Sequence, residues 1–174
     1  MLTVVIGGSA SGKSEYAEGL ILKSGLSRRV YVATMQPFDE ECLRRIERHR
    51  KMRREKGFET VECYTGLKQA EIPAGSAVLL ECMGNLAANE LFAPHGAGPN
   101  ALGEILAGID HLCRRAEHCI VVTNDVFADG ICYDADTRRY LELLGRVNAC
   151  LGEKAQRVVE VVCGIPLWKK GGEA

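Results

Sequence analysis

A short apolar run at residues 2–6 breaks into Gly7-Gly8-Ser9-Ala10-Ser11-Gly12-Lys13-Ser14, and an amphipathic stretch begins directly behind it. No other part of the chain restricts the fold so tightly. A strand must end there, small residues must carry the backbone through a close turn, and a helix must start at the lysine. The remainder repeats that alternation. β-Branched runs at 30–33, 60–63, 77–80, 120–123 and 158–162 read as further strands. Helical patterns fill 13–23, 39–56, 86–92, 102–116 and 137–154. Strands alternating with helices predict an α/β fold with a mainly parallel sheet flanked by helices. Residues 93–100 read as a mobile loop and 169–174 as a frayed tail.

The eight residues from Gly7 to Ser14 satisfy GxxxxGK followed by Ser or Thr in full, between a strand and a helix, which makes the fold expectation P-loop NTPase-like. Small side chains let backbone amides wrap an anion, and the helix N-terminus adds partial positive charge. Lys13 then reaches the outer phosphates of ATP or GTP, and the Ser14 hydroxyl is the candidate Mg²⁺ ligand. The competing reading is an ordinary glycine-rich turn, and agreement of the loop with both flanks weighs against it. The run at 77–80 ends in Glu81, where such enzymes place an acid near metal and phosphate. A strand-end glutamate can equally cap the following helix.

The 174 residues, 47% of them hydrophobic, suit one domain spanning 1–174. A net charge of -1 gives no global pull toward nucleic acid or an anionic membrane. No apolar run is long enough to span a bilayer and no secretory leader is visible, so the expectation is cytoplasmic. Eight scattered cysteines show neither a CxxC pair nor zinc spacing, and reduced thiols are expected.

Cationic charge is concentrated in one place. From Arg44 to Lys56 there are eight Lys or Arg residues and two acids. Helical spacing sets Arg45, His49 and Arg53 on one face, which places an imidazole between guanidinium groups suited to phosphate. Neighbouring cations favour the neutral imidazole, the form that attacks phosphorus. The bland alternative is a solvated basic face on which His49 is incidental, and spacing alone does not separate the two. His95, His111 and His118 read as surface or packing residues.

The ordered set of motifs resembles the bifunctional adenosylcobinamide kinase and adenosylcobinamide-phosphate guanylyltransferase family of cobalamin assembly. The phosphate loop is followed by Tyr31-Val32-Ala33-Thr34, then Arg45-Ile46-Glu47-Arg48-His49-Arg50 with Arg53, and Glu59-Thr60-Val61-Glu62. After these come Leu79-Leu80-Glu81-Cys82, Val122-Thr123-Asn124, Gly145-Arg146-Val147-Asn148 and Gly164-Ile165-Pro166. The resemblance implies phosphorylation of a cobinamide hydroxyl, then transfer of GMP from GTP onto the new phosphate. It implies His49 as the residue that carries GMP. It also implies nucleotide contacts from Ala33, Thr34 and Met35, from Arg50, Lys51, Met52 and Arg53, and from Glu62 and Glu81, with a homotrimer as the assembly. The family's Asn-Glu-Val-Gly-x-Gly stretch appears here as Asn124-Asp125-Val126-Phe127-Ala128-Asp129-Gly130.

Two other functions fit the loop. A different small-molecule kinase would need Lys13 and Mg²⁺ but no histidine adduct. A GTP-dependent regulatory module would need a base-reading motif such as NKxD, and Asn124-Asp125 lacks the lysine.

Overall fold

The computed structural model describes residues 1–37, 40–126 and 132–172; within the helix at Glu40–Glu55, the side chains of Glu40, Glu41, Cys42, Arg45, Arg48, His49 and Met52 lie outside the description. Among the described residues, seven strands form one sheet: β1 (Leu2–Gly7), β2 (Arg29–Ala33), β3 (Phe58–Glu62), β4 (Ser76–Glu81), β5 (Ala116–Asn124), β6 (Arg157–Val162) and β7 (Ile165–Lys170). Their order is β3-β2-β4-β5-β1-β6-β7. Every neighbouring pair is parallel except β6 with β7. Five α-helices among the described residues accompany them: α1 (Lys13–Lys23), α2 (Glu40–Glu55), α3 (Met83–Phe92), α4 (Ala101–Arg115) and α5 (Ala135–Lys154).

Side-chain alternation divides the core between the two faces of the sheet. Val4, Val78, Leu80 and Val121 bury against α3, α4 and α5, together with Leu86, Ile105, Leu112 and Leu144. The next residues along the same strands, Val5, Leu79 and Val122, bury on the opposite face with Ala17 and Ile21 of α1. The central strands are therefore apolar on both sides, which is why they read as nearly continuous β-branched runs.

Three expectations need correction. The third strand starts at Phe58, two residues earlier than its β-branched run indicates. Gly57 turns the chain at φ 75°, and Phe58 buries edge-on to Tyr31 with ring centroids 6.2 Å apart. Residues 169 and 170 are not a frayed tail, because they complete β7, an antiparallel edge strand where Pro166 is tolerated. The two-residue turn into it, Cys163-Gly164, has positive φ at both positions, as a tight hairpin demands. The segment 93–100 is pinned: buried Glu90 accepts from Ala97 N at 3.0 Å and from Gly66 N at 2.7 Å, and residues 98–100 make a 3₁₀ turn. A Cβ on Gly96 would lie 2.5 Å from the carbonyl oxygens of Asn89 and Glu90, so the loop sits directly on α3.

The seven described cysteines are free thiols, and the Cys42 side chain lies outside the description. No helix among the described residues is long and apolar enough to cross a membrane.

Candidate active site

The C-terminal ends of the parallel strands converge on one cleft of about 720 Å³. Its floor is the loop from Gly7 to Ser14. Gly12 adopts φ 87° and Ala10 φ 53°, so successive amides turn toward one concavity and α1 begins at Lys13. Two glycines are required by close approach. A Cβ on Gly7 would meet Val161 O and Ser11 Oγ at 2.6 Å, and one on Gly12 would press on Gly164 Cα at 3.3 Å. The β6–β7 hairpin is thus the loop's outer support, and Gly164 N donates to Ser11 O at 2.8 Å. On the inner side, Asp125 N donates to Gly7 O at 3.1 Å.

Lys13 Nζ donates to Gly8 O at 2.9 Å, which holds the ammonium over the loop. The Ser14 hydroxyl donates to Glu81 Oε1, while Glu81 Oε2 is buried with no hydrogen-bond partner among the described residues. Burial raises the Glu81 pKa; the Ser14 bond and the nearby Tyr31 hydroxyl act against that but do not cancel it. Burial, reinforced by the Glu81 charge, pushes the Tyr31 phenol up in turn.

Of the other sequence-predicted residues, Ala33, Met35, Arg53, Glu62 and Glu81 line the cleft beside Ser9, Ala10, Lys13 and Ser14. Arg53 is 5% exposed, with its guanidinium 3.9 Å from the centre of the Tyr31 ring, a cation–π contact in a desolvated setting. Arg50 pairs with Glu62 at the rim, and Tyr64 Oη donates to the same carboxylate at 2.9 Å. Thr34 is fully buried, and its hydroxyl is spent on Cys82, donating to the carbonyl and accepting from the amide at 2.8 Å each. Lys51 is exposed on α2 and is not among the cleft residues. The side chains of His49 and Met52 lie outside the described residues.

Several cleft residues had no site role assigned from the sequence: Glu18, Tyr31, Ile46, Lys56, Tyr64, Cys82 and Asn85. Lys56 pairs with Glu18 and ties the end of α2 to α1. Burial raises the Cys82 thiol, although the backbone amides of Asn85 and Gly84 favour its thiolate. Asn124 also lines the cleft. The rule that ligands sit outside the carboxyl ends of parallel strands would have marked it, as it marks Ala33, Glu62 and Glu81.

A phosphate loop at the carboxyl edge of a largely parallel, helix-flanked sheet defines a P-loop NTPase-like α/β protein. The crystal structure of flagellar accessory protein FlaH from Methanocaldococcus jannaschii shares that fold, with a TM-score of 0.51 at 12% identity, covering 99% of this chain and 80% of the other. Sequence comparison narrows the class. The family described as cobinamide kinase / cobinamide phosphate guanyltransferase matches residues 3–168. The bifunctional adenosylcobalamin biosynthesis protein CobU of Escherichia coli is 35% identical, over 95% of this chain and 97% of its own. The protein CobP of Pseudomonas aeruginosa, described in the same words, is 32% identical over 98% of both chains. The chain belongs to the cobinamide kinase / cobinamide phosphate guanyltransferase family.

Proposed function

We propose that this protein phosphorylates adenosylcobinamide with ATP or GTP and then transfers GMP from GTP to adenosylcobinamide phosphate through a guanylylated His49. The observation that carries the reading is that one cleft is lined both by the phosphate loop and by α2. Ile46 and Arg53 of α2 face that cleft. Position 49 lies three residues after the first and four before the second, on the same helical face.

In the first reaction the loop amides and Lys13 hold the triphosphate, and the acceptor hydroxyl attacks the γ-phosphorus. The bond to the β-phosphate oxygen breaks, and ADP or GDP leaves. Lys13 offsets charge on the oxygens as the group moves. In the second, an imidazole nitrogen of His49 attacks the α-phosphorus of GTP and expels pyrophosphate. A phosphate oxygen of adenosylcobinamide phosphate then attacks the same phosphorus and frees the histidine. Arg53, buried on Tyr31, is placed to meet charge on the α-phosphate.

Ser14 and Glu81 suit Mg²⁺: both offer hard oxygen donors, and the Oε2 of Glu81, without a hydrogen-bond partner among the described residues, is an acceptor that a cation or its water would satisfy. When bound, Mg²⁺ supplies neutralisation of the phosphate oxygens. Cytoplasmic location and a homotrimeric assembly belong to the same proposal, the assembly on family resemblance.

Incubation with adenosylcobinamide, ATP and GTP, followed by product analysis, tests the reading. Adenosylcobinamide phosphate should appear with ATP alone, and the GDP-linked product only when GTP is added. Formation of neither product refutes it.

A further inference from the structure

The two sides of the cleft differ in charge. Glu18 of α1, Arg53 of α2, Lys56 in the turn behind α2 and Glu62 of β3 line one side, whereas Cys82 at the cap of α3, Asn85 of α3 and Asn124 of β5 line the other and carry no formal charge. Neither the Asn85 nor the Asn124 carboxamide makes a hydrogen bond among the described residues, although both are half-buried on the cleft wall. We infer that Asn85 and Asn124 form the subsite for the phosphoryl acceptor, an alcohol whose periphery consists of uncharged amide and hydroxyl groups; this rests on the kinase reading above.

Each carboxamide offers two donors and one acceptor. Such groups recognise amides and hydroxyls without burying an unpaired charge, whereas a triphosphate is better met by the loop amides and Lys13.

The wall is also rigid where it needs to be. Asn148 accepts from Thr123 Oγ1 at 2.7 Å and donates to Asn124 O at 3.3 Å. The next residue, Asp125, donates to Gly7 O at 3.1 Å, so Asn124 is fastened to the loop that carries Lys13. An acceptor held by Asn124 is thereby held at a fixed distance from the transferring phosphate, which is how orientation lowers a bimolecular barrier. Gly84 completes the arrangement. A Cβ there would lie 2.7 Å from Asn124 Nδ2 and 3.1 Å from Tyr140 Oη, so only glycine leaves the carboxamide in its position.

The test is steady-state phosphorylation of adenosylcobinamide by ATP in wild type, Asn85→Ala and Gly84→Ala, with GTP affinity measured by calorimetry on the same preparations. Asn85 has no side-chain bond to lose among the described residues, so its variant carries no folding cost through them. The KM for adenosylcobinamide should rise about fivefold to tenfold in each variant, the size of one or two lost hydrogen bonds. The Kd for GTP should move by less than about twofold, within the scatter of a near-neutral surface change. An unchanged KM in both variants overturns the subsite, and so does a parallel loss of GTP affinity, which would assign the wall to the nucleotide. A wild-type protein that binds GTP but does not phosphorylate adenosylcobinamide would instead remove the kinase reading, and the subsite with it.

Discussion

Glu81 should weaken the fold that it serves. Its carboxylate is buried at the end of β4 with one oxygen bonded by Ser14 and the other without a hydrogen-bond partner among the described residues, and its pKa is raised chiefly by burial. In Glu81→Gln the amide oxygen can still accept from Ser14, while the charge disappears. Leaving a buried polar group unsatisfied costs about 1–3 kcal/mol, more when it is charged. A new amide that is itself imperfectly paired returns part of that gain, so the net is about 1–2 kcal/mol of stabilisation at pH 8. For a chain of this size that is about 2–8 °C in Tm. The pH dependence fixes the sign. A carboxyl whose folded pKa lies above its unfolded value costs the fold nothing below the unfolded value, about 4.3, and destabilises increasingly as pH rises through the folded one. The advantage of the variant should therefore be present at pH 8 and vanish near pH 4. Scanning calorimetry across that range measures it, and a second series with Mg²⁺ and GTP should show the variant gaining less from ligand than wild type does. A variant less stable than wild type at pH 8, or a difference independent of pH, would refute the reasoning.

Other positions give simpler outcomes. Gly12→Ala places an L residue at φ 87° with its Cβ against Gly164, which costs about 1–2 kcal/mol of strain; GTP affinity by calorimetry should fall more than about tenfold, since 1.4 kcal/mol is a factor of ten and the loop must also shift. Gly108→Ala drives a Cβ to 2.5 Å from Leu67 Cβ where α4 meets the 3₁₀ turn at Leu67–Gln69; denaturant unfolding should show a loss of about 1–3 kcal/mol, with KM for GTP unaffected. Asp134 caps α5 by accepting from Thr137 N at 2.8 Å and Thr137 Oγ1 at 2.8 Å, and these bonds lower its pKa. Asp134→Ala should lower Tm at pH 7, and the difference should shrink as pH falls below the ordinary aspartate range and through the depressed folded value.

The parts of this structure that were legible in the sequence are those with local causes. The strand into Gly7-Gly8-Ser9-Ala10-Ser11-Gly12-Lys13-Ser14 and the helix behind it follow from residue type, and α1 occupies Lys13–Lys23 as its periodicity indicates. The two-sided burial of β4 and β5 was visible as apolar runs ending in Glu81 and Asn124. What escaped has non-local causes. β7 ends in Lys169 and Lys170, residues that read as the start of a tail until β6 offers an edge. Helix α3 begins at Met83, three residues earlier than its pattern, because Gly84 and Asn85 are poor helix signals tolerated for what they leave room for and present. The anchoring of 93–100 depends on Glu90, a glutamate 2% exposed whose two backbone partners come from separate loops, one of them 24 residues earlier in the chain. Spacing can align Arg53 with His49, but the stacking of Arg53 on Tyr31 required the fold.

The most direct measurement of the central claim is covalent capture. GTP carrying radioactive phosphorus at the α position should label the protein with a bond that acid breaks and base spares, as a phosphoramidate behaves, and adenosylcobinamide phosphate should discharge it. Label at the γ position should leave nothing behind, and His49→Ala should take up no label from either. Full α-labelling of His49→Ala, or none of wild type with both GTP and Mg²⁺ present, would contradict the account.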